Sequence, residues 1–110
     1  MNLYLQSPLS AGKEEEIHCY ELNPVHARSI EPDKEQLLGK IVNNASLLAG
    51  QYLFAQRRCE AHLGQEEWLD MAIEQQKDGL WERNKLGNLL YVRFLYEDGA
   101  FVTQVFRTLV

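Results

Sequence analysis

The residues of this chain best suited to chemistry are its three histidines and two cysteines. They fall in two clusters, His18-Cys19 with His26, and Cys59-Glu60-Ala61-His62. Side chains three apart on a helix share a face, so Cys59 and His62 could ligate one ion. His18 and Cys19 would then complete a tetrahedral zinc site. Two features oppose this reading. Neighbouring residues on a strand point to opposite faces, which parts His18 from Cys19, and no paired CxxC or HxxxH spacing occurs. A thiol nucleophile needs its pKa lowered by a neighbouring His, a cation or a helix amino terminus. Cys59 stands late in a predicted helix, the wrong end for that help, although Arg57, Arg58 and His62 are near it in sequence.

Glu66, Glu67, Asp70 and Glu74 could supply paired carboxylates, yet their spacing equally describes the wet face of an amphipathic helix. The sequence has no Gly-rich phosphate loop, no GxSxG and no HExxH. Arg83, Lys85, Arg93 and Arg107 with Trp81, Tyr91 and Phe106 could stack a single-stranded nucleic acid. Four cations on an acidic chain are a thin basis for that. The reading is therefore no catalytic, cofactor-binding or metal-binding residue, and no cofactor. The alternative is a small Cys/His-dependent metal-binding protein or enzyme using His18, Cys19, Cys59 and His62.

These residues must be positioned by a chain of 110 residues, enough for one domain with its own core. The dominant pattern lies at Leu38, Ile41, Ala45, Leu48, Tyr52, Ala55 and Cys59, steps of three and four that predict a helix from Pro32 to Leu63. Proline suits a first helical position, and Glu31, Asp33 and Glu35 favour the positive end of the dipole. A straight helix of that length would run about 48 Å, more than the roughly 34 Å a compact chain of this size spans. One bent helix is expected, with Asn43 to Ser46 as the natural break. Leu63-Gly64 should end it, and a second helix should follow from Gln65 to Asp78, with Trp68, Leu69, Ala72 and Ile73 on its apolar side.

The period then changes. Leu89–Tyr96 and Ala100–Leu109 are rich in β-branched and aromatic residues and meet at Asp98-Gly99, a strong hairpin signal. A two-residue turn pairs Tyr96 with Phe101, Phe94 with Thr103, Val92 with Val105 and Leu90 with Arg107. Ile17–Leu22 reads as a further strand and Met1–Gln6 as an edge strand. Val25–Ile30 reads as a loop, Leu80-Trp81 as a short strand, and Asn84–Asn88 as a turn. The fold class expected is α+β: a long bent helix and a second helix packed on a small antiparallel sheet with a C-terminal β-hairpin, residues 1–110 forming a single domain. Both faces of the hairpin are apolar, so its outer face, around Tyr91, Arg93, Leu95, Phe106 and Thr108, is expected to meet another molecule.

Net charge sharpens the expectation. Residues 1–79 carry 13 acidic and 7 basic side chains, while residues 80–110 carry 3 and 4. An acidic first part disfavours nucleic acid and anionic membrane and suits a basic protein partner. No apolar run approaches the roughly 20 residues of a membrane span. The amino terminus lacks the basic start and apolar core of a signal peptide, and two lone cysteines suit a reducing cytosol. The functional expectation is a non-catalytic interaction module (an inhibitor, immunity protein, secretion chaperone or adaptor) that binds a basic partner through Glu66, Glu67, Asp70 and Glu74. Homodimerisation is expected through the sheet.

Overall fold

The computed structural model describes residues 2–5, 16–29, 31–42, 50–77 and 85–110. Its dominant element is a six-stranded antiparallel sheet: β1 (Asn2–Leu5), β2 (Glu16–Leu22), β3 (Leu38–Val42), β4 (Gly50–Cys59), β5 (Leu86–Glu97) and β6 (Ala100–Leu109). The strands lie in the order β1-β4-β6-β5-β2-β3. Among the described residues three helices accompany them: α1 (Pro24–Ala27), α2 (Lys34–Leu37) and α3 (Gln65–Lys77), and the first two are single turns.

This overturns the expected long helix. Of residues 32–63, only Lys34–Leu37 is helical, whereas Leu38–Val42 and Gly50–Cys59 are strands. The expected break at Asn43 to Ser46 lies outside the described residues. The helix that does form is capped by Asp33, whose carboxylate accepts from the Glu35 backbone N–H at 3.0 Å. It stops because Leu38 is already extended and Gly39 runs close against β2: a Cβ there would stand 2.6 Å from the Glu21 carbonyl oxygen. A β-bulge between Glu21 and Leu22 marks the same place. The region read as a loop over 25–30 instead begins with α1, capped by the Asn23 side chain and started by Pro24.

β4 explains why a strand here resembles a helix. Tyr52 and Phe54 pack on one face of the sheet and Leu53, Ala55 and Cys59 reach the other, so the strand is apolar on both sides. The alternation of polarity that betrays a half-buried strand is missing.

α3 forms where a helix was expected. Gly64, expected to end the preceding helix, instead heads this one: its carbonyl accepts from the Trp68 N–H at 3.1 Å, and Glu67 Oε1 accepts from its N–H at 3.4 Å. Trp68, Leu69, Met71 and Ile73 are buried against Leu90, Val92 and Val105 of the hairpin.

The hairpin turns through Asp98 (φ 52°) and Gly99 (φ 78°), two positive φ values that match the right-handed twist of its strands. Tyr96 pairs with Phe101, Phe94 with Thr103, Val92 with Val105 and Leu90 with Arg107, the two-residue register. Residue 84 and the segment Leu80-Trp81 lie outside the described residues, but Leu86–Asn88, expected to turn, already belong to β5.

Candidate functional site

The outer surface of α3 is acidic. Glu66, Asp70 and Glu74 stand four residues apart along one helical line, with Glu67 beside them, and all four are exposed. Lys34, on the turn of α2, sits against this line: its Nζ lies 2.5 Å from Asp70 Oδ1 and 3.8 Å from Glu66 Oε1. The Asp70 hydrogen bond holds the Lys34 ammonium above its ordinary pKa. Glu67 is occupied with capping α3. Among the described residues no cation pairs with Glu74. Lys34 was not foreseen, because a helix running on through 63 would have carried it away from α3.

The sheet-side residues tell a different story. Tyr91, Arg93, Leu95 and Phe106, expected on an exposed face, are 8%, 2%, 5% and 1% accessible in the single chain, and Thr108 is half-buried. Tyr91 and Phe106 cluster with Cys19 of β2 and Tyr52 of β4. Arg93 Nε donates to Gln104 Oε1 at 2.7 Å, Gln104 Nε2 donates to Gln56 Oε1 at 3.0 Å, and the guanidinium lies 5.4 Å from the centre of the Phe106 ring. This face is closed, not offered. The premise for dimerisation through it is gone.

Nor do the basic residues gather. Arg93 belongs to that second face, whereas Arg107 points to the α3 side, where its Nε donates to the Gly87 carbonyl at 2.7 Å and its Nη2 to the Ala27 carbonyl at 3.4 Å. Burial, with Arg28 nearby, lowers its pKa to about 10. Trp81 and Arg83 lie outside the described residues.

The histidines and cysteines are likewise dispersed. Cys19 faces Tyr91 and Tyr52, while His18 on the opposite side meets Phe94 at 5.8 Å and pairs with Glu16 at 2.8 Å. His62 sets its ring edge against Phe94 and Phe101, at 5.2 and 4.8 Å between centres. Among the described residues no three His, Cys, Asp or Glu side chains are placed to hold a metal ion together. Burial pushes the Cys19 thiol up, the hydrogen bond with Tyr91 offsets part of this, and Glu21 adds a lesser rise. A raised thiol is the reverse of what a nucleophile needs.

One concavity went unforeseen. Where the last turns of α3 pass β4, Ala55, Gln56, Arg57, Met71, Glu74 and Gln75 line a cavity of about 370 Å³. Arg57 and Arg58 entered the sequence analysis only as cations near Cys59. Arg58 in fact reaches Glu97, at 3.3 Å, and Arg57 lines the cavity. No local signal could have found it, since it exists only because α3 crosses a strand that was read as helix.

No family model matches the chain, no curated protein is similar to it, and no solved structure matches its fold. No described helix is long and apolar enough to cross a membrane.

Proposed function

We propose that the protein is a non-catalytic interaction module, acting in a cytosol, that binds a basic partner protein through the outer face of α3. The observation that supports this is the line Glu66–Asp70–Glu74. Like charges four apart on a helix repel by about 0.2–0.5 kcal/mol per pair, and Lys34 relieves only the first two. A cationic partner would relieve the whole line, steer encounter and fix register. Inhibitors, immunity proteins, secretion chaperones and adaptors are the kinds of protein that use such a surface. Self-association, as a second reading, would fall on the edge strand β3, where Ile41 and Val42 are 58% and 38% accessible, and not on the sheet face.

The test is charge reversal at Glu66→Lys, Asp70→Lys and Glu74→Lys together. Lysine forms helix as well as glutamate, so circular dichroism should be unchanged. Affinity capture from the native host with the unaltered chain should bring down a basic protein. Its affinity for the reversed chain should fall by about tenfold or more, chiefly through slower association, and should weaken with salt. A partner retained equally by both chains, or one that is acidic, would sink the proposal. Light scattering on the same samples reads the oligomeric state.

A further inference from the structure

We draw no further inference here: the strongest candidate, the outer edge of β3, which has no strand beside it among the described residues and exposes Ile41 and Val42, is an open surface of the fold, and nothing in the structure shows what covers it.

Discussion

At the scale of single residues, Cys19 and Cys59 show how differently one chain can treat two thiols. Both are free, but Cys19 is 2% accessible within the Tyr52–Tyr91–Phe106 cluster, whereas Cys59, at the end of β4, is half-buried. Only thiolate reacts, and Cys19 is both hidden and held protonated by its burial. In the native protein at about pH 8, an aromatic disulfide reagent should therefore label Cys59 at least about a hundredfold faster than Cys19. Denaturant should make the two equal. Two equally fast phases without denaturant would mean that the sheet face is open. Sequence alone could show that strand alternation parts His18 from Cys19, but not that Cys19 looks toward Tyr91 and His18 toward Phe94. Arg93 was misjudged for a related reason: an arginine among apolar strand residues reads as exposed, unless the Gln104 and Phe106 that receive it can be seen.

Among elements, legibility followed locality. The hairpin was readable because its register is set by Asp98-Gly99, two residues in the turn itself. Likewise α3 shows a polar and an apolar side within its own thirteen residues. Strands β3 and β4 were not readable, because what fixes them is distant: β4 lies between β1 and β6 and is buried on both faces, so Tyr52-Leu53-Phe54-Ala55 is a plain apolar run. Choosing Tyr52 and Ala55 from that run, with Cys59 beyond it, gave a helical stripe only by passing over Leu53 and Phe54. Gly39 distinguishes the two readings by sign. In a helix, Gly39→Ala would stabilise the chain by about 1 kcal/mol. In β3 the new methyl meets the Glu21 carbonyl, a backbone atom that cannot swing aside, so the substitution should cost about 1–3 kcal/mol. A urea melt reads this as a lower midpoint at unchanged slope. A higher midpoint would restore the helix.

For the whole molecule, the consequence of burying both faces of the sheet is a stability that declines in alkali. Burial raises Tyr20, Tyr52 and Tyr91 above their ordinary 10.0 and Cys19 above its 9.0. Cys19, Tyr52 and Tyr91 share one cluster, so each charge there resists the next. A group whose pKa is higher folded than unfolded contributes its full stability below the unfolded value and loses it as pH rises through the folded one. Arg107 has the opposite sign: lowered to about 10, it contributes more only as pH climbs above that value, so it does not offset Cys19 between about pH 9 and 10. Net stability should thus hold up to about pH 9 and fall between there and about pH 10. Between the ordinary thiol value of 9.0 and the tyrosine value of 10.0, Cys19 leads the fall. Cys19→Ala makes the assignment testable, for although it lowers stability at every pH by leaving a small cavity, it should flatten the curve between about pH 9 and 10. Urea midpoints measured across that interval compare the slopes directly. Parallel slopes in the two proteins would show that Cys19 is not shut inside the sheet, and with it would go the closed second face.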